Sequence, residues 1–344
     1  MSSNGAVLTA IAVLAGAATA GLASALRQRP YLPGSLAEYD PRWHDALRRA
    51  VRQGAAGVQL PVWPGANGEL YLGYAEPRRP DPAGADTLRR GVLERLLRRV
   101  AATGGAIHAG REEPFELLLE LPGEESRPEA ALRAFHLLDA CLGDHAAILT
   151  RWSPAGTVPG PVTVTVTGRW SVRELLAERE ERWACVDGTL DDLGSVDVPP
   201  TLAPLLSEHW SWRFGWDGRG PMPPEERHLL HWLVRAAHAE GRRVRFFGIP
   251  ERPRRVRGAL WTELSAAGVD VIGSRRLWAL RRHLRRRHPV PPGQPLRVAP
   301  VSPAVALPTM AGDHPGARPA PRDGPSAVRP PTPEPAASAG TAGS

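Results

Sequence analysis

The side chains with the greatest chemical reach in this chain gather at the ends of short apolar runs. Residues 57–63 (GVQLPVW) and 68–74 (GELYLGY) flank a turn signal of Pro64, Gly65, Asn67 and Gly68, and they present an amide, an indole and a phenol at Gln59, Trp63 and Tyr74. Other strand-like runs supply carboxylates at Glu120 and Asp187 and a ring at Phe247. A hard cation such as Ca²⁺ or Mg²⁺ requires several anionic oxygens, which Gln59 cannot supply. The Tyr74 phenol, with a reference pKa of about 10, is a poor base near neutrality. A cup lined by aromatic rings with few charges suits an organic ligand or the face of a sugar better than bare phosphate.

Such residues act together only if one frame brings the run ends to the same place. Strand-like segments at 57–63, 115–121, 162–167, 183–187, 244–249 and 269–272 alternate with helix-like segments at 43–53, 87–102, 128–142, 172–180, 224–240, 256–267 and 276–287. That alternation predicts a parallel sheet with helical crossovers. In the segment over 87–102, Leu88, Val92, Leu93, Leu96, Leu97 and Val100 fall on one helical face. Gly104, Gly105, Gly143, Gly241 and Gly268 stand where helices should stop. Two cysteines, Cys141 on a helix and Cys185 on a strand, are too few for a disulfide framework or a CxxC metal site and read as buried thiols.

Several segments resemble a known family in order and wording. They are LPGSLAEYDPRWHDAL (32–47), the 57–74 frame, FELLLELPGEE (115–125), WACVDGTLDDLG (183–194), LSEHWSWRFGWDGRGPMP (206–223), AHAEGRRVRFFGIPE (237–251) and AAGVDVIGSRRL (266–277). Together they cover roughly residues 32–285, and the group of Ser207, Trp210, Trp216 and GPMP is the most specific. The chain resembles the phospholipase-C-like phosphodiesterases, the superfamily of the glycerophosphodiester phosphodiesterases, and in it the bacterial secreted branch related to the altered-inheritance-of-mitochondria type proteins. The resemblance implies a TIM-type (β/α)8 barrel of α/β class, with two further strands near 32–36 and 205–210, and it brings His209 and Trp210 to the ligand-binding face. It also implies phosphodiester cleavage in lipid metabolism, with a cation held by carboxylates and proton transfer by histidine.

At the family's site positions this chain departs from the pattern. Gly34 and Ser35 stand where His and Asn belong, Gln59 and Pro61 replace Glu and Asp, Tyr74 replaces His, and Pro122 replaces Lys. Glu120 keeps an acid, and the family's closing INTD is Ile272, Gly273, Ser274 and Arg275. No catalytic residue, metal site or cofactor is therefore expected, and a divalent Ca or Mg ion belongs only to an alternative in which Glu120, Asp187 and His209 form a rearranged site. The ligand-binding candidates are Gln59, Trp63, Tyr74, Glu120, Asp187, His209 and Trp210.

Composition sets the remaining expectations. Residues 6–26 form an uncharged Ala-rich run before Arg27 and Arg29, so 1–30 reads as a signal peptide or membrane anchor. The small-x-small triplets at 18–20 and 23–25 favour export, whereas the charges behind the run favour an anchor facing the cytoplasm. Residues 31–288 read as the barrel, and 289–344, rich in Pro and Ala, as a disordered tail. The formal charge is +7, and all 43 basic residues are arginine, a bias that accompanies the excess of Ala, Gly and Pro. Seven of them, Arg275, Arg276, Arg281, Arg282, Arg285, Arg286 and Arg287, crowd one helical segment, with Leu277, Leu280 and Leu284 expected inward. That segment could meet anionic lipid headgroups. No nucleic-acid partner is expected, because no binding module accompanies the charge.

Three functional readings remain open. The chain is a ligand- or membrane-binding pseudoenzyme of the phosphoric diester hydrolase family, a working metal-dependent hydrolase with a rearranged site, or a scaffold whose Arg-rich helix or tail binds a partner. Whether it is an enzyme, and in what oligomeric state it works, stay undecided at this level.

Overall fold

The structure, a computed structural model, describes residues 29–80, 83–122, 128–167 and 170–287. The expected leader or anchor over 6–26 and the tail over 289–344 lie outside the described residues. Among the described residues no helix is long and apolar enough to cross a membrane.

Eight parallel strands close on themselves. In barrel order they are β1 (Leu32–Ala37), β2 (Ala55–Pro64), β4 (Phe115–Glu120), β7 (Val162–Thr167), β8 (Cys185–Gly188), β9 (Leu205–His209), β10 (Arg243–Phe247) and β11 (Val271–Ser274), which returns to β1. A short strand, β3 (Leu70–Leu72), pairs antiparallel with the end of β2, and β5 (Arg151–Ser153) with β6 (Gly156–Val158) forms a separate ribbon. The helices that position the site are α1 (Ala46–Gln53), α2 (Glu94–Thr103), α3 (Pro128–Gly143), α4 (Trp170–Ala177), the short α5 (Trp210–Arg213), α6 (Pro224–Ala239), α7 (Arg254–Ala267) and α8 (Leu277–Arg287). This is the expected TIM-type (β/α)8 barrel.

The two-residue period of a strand decides what enters the lumen. Val58, Leu60 and Val62 of β2, Phe115, Leu117 and Leu119 of β4, and Val162, Val164 and Val166 of β7 pack outward in the main apolar cluster. The alternate positions point in, where Leu36, Leu118, Leu205 and Val271 meet as an aliphatic plug. Below the plug lies a polar layer: Arg243 Nη2 donates to Glu116 Oε2 at 2.7 Å and Thr165 Oγ1 donates to Glu116 Oε1 at 2.5 Å. The alternating threonines of β7 thus serve as lumen residues. Cys185 shares this layer and is a free, buried thiol pushed up to about 12 by burial; Cys141 on α3 is likewise free and buried.

Helix ends follow the sequence signals, with Gly104 and Gly268 taking left-handed C-cap conformations that close α2 and α7. One apolar face differs from expectation. Leu88, Val92, Leu93 and Leu96 are buried, but Leu97 is 41% exposed. A π-helical turn over Arg89–Leu93 precedes α2, and its wider turn shifts the face away from a strict 3.6-residue period. On α8, Leu277, Leu280 and Leu284 are buried as expected, and so is Arg281. Its guanidinium donates to Gln53 O at 2.6 Å and to Pro30 O, satisfying carbonyls at the end of α1 and just before β1.

His108, in the loop before β4, is buried against Tyr31 and Phe115 and donates through Nε2 to Ala55 O at 2.8 Å. Burial lowers its pKa from 6.5 to about 4. Between those two values the unfolded chain takes up a proton that the folded chain refuses, so stability falls as pH falls. Replacing His108 with Gln keeps a donor for Ala55 and should remove about 2 kcal/mol of the stability lost between pH 6.5 and pH 4. Urea unfolding of both proteins at the two pH values measures it, and equal acid losses would refute the assignment.

Candidate functional site

At the carboxyl ends of the strands the lumen is crossed by a three-residue hydrogen-bonded bar. Arg245 Nη2 on β10 donates to Gln59 Oε1 on β2 at 2.7 Å, and Gln59 Nε2 donates to Glu120 Oε2 on β4 at 3.1 Å. An amide suits the middle position because it accepts from a cation with one end and donates to an anion with the other. Arg245 is 3% exposed, and its Nε has no hydrogen-bond partner. Its guanidinium also lies 5.3 Å from the centre of the Phe247 ring.

A second carboxylate joins this layer from β1. The structure places Gly34 and Ser35 in the body of that strand, not at its end. Ser35 is buried and donates to Leu32 O at 2.7 Å, so its hydroxyl is consumed inside the strand. Glu38, the first residue past β1, reaches the mouth instead. Burial raises its pKa, opposed by Arg245 and Arg275 and reinforced by Glu251 and Glu120. The Glu38 side chain lies directly over Gly273 of β11, where a Cβ would require its carboxylate to move aside. Gly273 thus leaves the space that the Glu38 side chain occupies.

The remaining candidates divide sharply. Pro61 pairs in register with Glu120 and its carbonyl accepts from Gly73 N at 2.8 Å, which ties the β3 hairpin down. Tyr74 stands edge-on to Tyr39 at 5.9 Å, and burial together with the Glu120 and Glu38 charges raises its pKa, so it keeps its proton at neutral pH. Pro122 is buried just past β4 and offers no donor. Trp63 and Asp187 share the strand faces that turn inward, alongside Gln59 and Cys185 respectively.

His209 ends β9 on the inward side. Its Nδ1 is 2.9 Å from Ser211 Oγ, and its ring packs with Trp212 at 5.2 Å and Phe247 at 5.3 Å. The ring rests on Gly248, a position with no room for a Cβ, and burial lowers its pKa. Trp210 is a correction: its ring is 3% exposed and packs outward on Phe214, Phe246 and Trp216, with Nε1 donating to Trp216 O at 2.6 Å. The chain enters α5 at Trp210, so the ring that faces the mouth is that of Trp212, two residues later. His209, Trp212 and Phe247 form an aromatic wall, and the Arg245 bar forms the floor beside it.

These residues do not fit a Ca²⁺ or Mg²⁺ ion. Glu120 is bound to Gln59, Gln59 is bound to a guanidinium, and Pro61 spends its carbonyl on the hairpin. Among the described residues no group of three or more His, Cys, Asp or Glu side chains is placed to hold a metal ion.

No protein-family model matches the chain. A curated relative, the altered inheritance of mitochondria protein 6 homolog of Arthroderma benhamiae, is 28% identical over 120 residues, covering 34% of this chain and 37% of its own length. Among solved structures, a phosphodiesterase of Oleispira antarctica in complex with its product sn-glycerol-3-phosphate is 14% identical, with 73% of this chain and 96% of that chain covered and a TM-score of 0.43. A glycerophosphoryl diester phosphodiesterase of Parabacteroides distasonis is 13% identical, covering 77% and 90%, with a TM-score of 0.42. The barrel itself is established by its own strand pairing.

Replacing Arg245 with Met keeps the stem and removes the charge, leaving the Gln59 carbonyl oxygen unpaired and Glu38 without the cation that most opposes the effect of its burial. The expected cost is about 1–3 kcal/mol of folding stability by urea unfolding. A change within about 0.5 kcal/mol, the range of ordinary surface substitutions, would show that the bar does not hold the mouth together.

Proposed function

We propose that this chain is a non-hydrolytic member of the phospholipase-C-like phosphodiesterase group, a pseudoenzyme whose barrel mouth binds a small phosphate-bearing organic molecule. The observation that carries the reading is the Arg245–Gln59–Glu120 bar. It sets a side-chain cation against Gln59 and, through it, ties up Glu120, two of the positions where the family resemblance calls for acids around a metal. Support for the family comes from the barrel topology, the matched segments over 32–285 and the partial likeness to the mitochondrial-inheritance homologue.

The chemistry of the mouth agrees with binding more than with bond cleavage. Metal-assisted hydrolysis needs a cation to neutralise charge developing on phosphorus and a base to activate water. Glu120 is engaged, Tyr74 stays protonated, and Glu38 is biased towards its neutral form. Arg245 and Arg275 supply positive potential, and the wall of His209, Trp212 and Phe247 supplies a flat apolar face for the organic part. The competing reading of a rearranged hydrolase would use His209 as its base, held at the lip against Ser211, Trp212 and Phe247, and would still need a cation for which the mouth offers no set of free carboxylates.

Sn-glycerol-3-phosphate, used as the probe, should bind in calorimetry, and the binding should weaken about tenfold or more in Arg245→Met. Glycerophosphodiesters should not be turned over with Ca²⁺, Mg²⁺ or Mn²⁺ present. Metal-dependent turnover that disappears in Glu120→Gln would overturn the proposal in favour of an active hydrolase.

A further inference from the structure

Outside the lumen, a cleft of about 1490 Å³ opens where the segments after β1, β10 and β11 meet α1, α7 and α8. Eight arginines and two carboxylates, Asp40 and Glu251, line it. Both carboxylates are already committed. Asp40 accepts from Arg42 Nε at 2.8 Å and Nη2 at 2.5 Å. Glu251 accepts from Ser274 Oγ and Arg275 N, each at 3.0 Å, and its other oxygen lies 3.5 Å from both Arg257 and Arg276. Among the described residues no carboxylate pairs with the side chains of Arg252, Arg254 or Arg275, all of them exposed.

Like charges gathered this closely repel one another across less than a Debye length, about 8 Å at physiological salt. An arrangement that stays folded while carrying that repulsion is complementary to a multiply charged anion. Two features organise it in advance. Glu251 fixes the backbone of Arg275 and holds two neighbouring guanidiniums, while Trp43 and Trp278 present rings against Arg49 at 4.6 Å and Arg282 at 5.8 Å. Planar guanidinium forks grip phosphate oxygens in pairs, which the compact lysine ammonium cannot do.

We infer that this cleft, on the rim beside the barrel mouth and distinct from the lumen bar, is an anion site for a doubly charged phosphate group, a phosphomonoester or a diphosphate. None of its arginines belongs to the Arg245–Gln59–Glu120 bar, and Arg252 and Arg254 take no part in the field around Glu38, so those two report on the cleft alone. The group could be carried by a soluble metabolite or by the headgroup of an anionic lipid, and the chemistry of recognition is the same for both.

The test uses the full chain, with pyrophosphate in calorimetry as one arm. The other arm is co-sedimentation with phosphatidylcholine vesicles, plain or doped with phosphatidic acid. The exposed pair Arg252→Ala and Arg254→Ala, combined, should weaken whichever probe binds by about tenfold or more while leaving thermal unfolding unchanged. Loss confined to pyrophosphate identifies a soluble ligand, and loss confined to doped vesicles identifies a lipid source. The inference is overturned if neither probe binds, if the double variant binds as well as the parent, or if binding is lost in Arg245→Met and kept in the double variant, which would put the anion in the lumen.

Discussion

A guanidinium buried in the dry interior of a barrel cannot stand alone. Removing a charge from water costs several kcal/mol after relaxation, and only closely placed partners offset that cost. Arg245 therefore dictates its surroundings. It requires an acceptor, found in the Gln59 carbonyl oxygen, and it draws two carboxylates into its field, Glu120 through the amide and Glu38 from the end of β1. Because the partners come from β1, β2, β4 and β10, the interaction ties together distant staves of the barrel. The mouth is organised around this one buried charge.

The lumen below it repeats the idea with a different purpose. At the opposite end Arg243, Glu116 and Thr165 form a second polar layer, and the aliphatic plug of Leu36, Leu118, Leu205 and Val271 separates the two. Each layer contains its own compensating charge, so neither depends on the other through the low-dielectric plug. The lower layer can keep the barrel closed while the upper one varies with ligand. This division matches the general tendency of α/β barrels to keep stability at one end and chemistry at the other.

Much of the frame was readable from residue order alone. The run VTVTVT became β7 to the residue, and helix stops at Gly104 and Gly268 were visible because only a left-handed turn calls for glycine there. The site was less legible, for reasons that lie in the closed geometry. In a strand such as RVRFF, alternating charges normally mark a solvent face, yet closing the sheet sends that face into the lumen. Nothing in the residue order marks Arg245 as a lumen charge. Glu38 escapes the sequence reading because the strand end falls later than the Gly34 and Ser35 positions suggested by the resemblance, and Trp210, expected at the mouth, turns away from it because α5 begins at that residue and sends the ring outward.

The fit between Glu38 and Gly273 has a consequence for exchange at either place. A side chain added at 273 meets the Glu38 carboxylate and is accommodated only if that carboxylate swings aside. The two residues, contributed by neighbouring staves, therefore vary as a pair: shortening the side chain at 38 would open position 273 to residues larger than glycine.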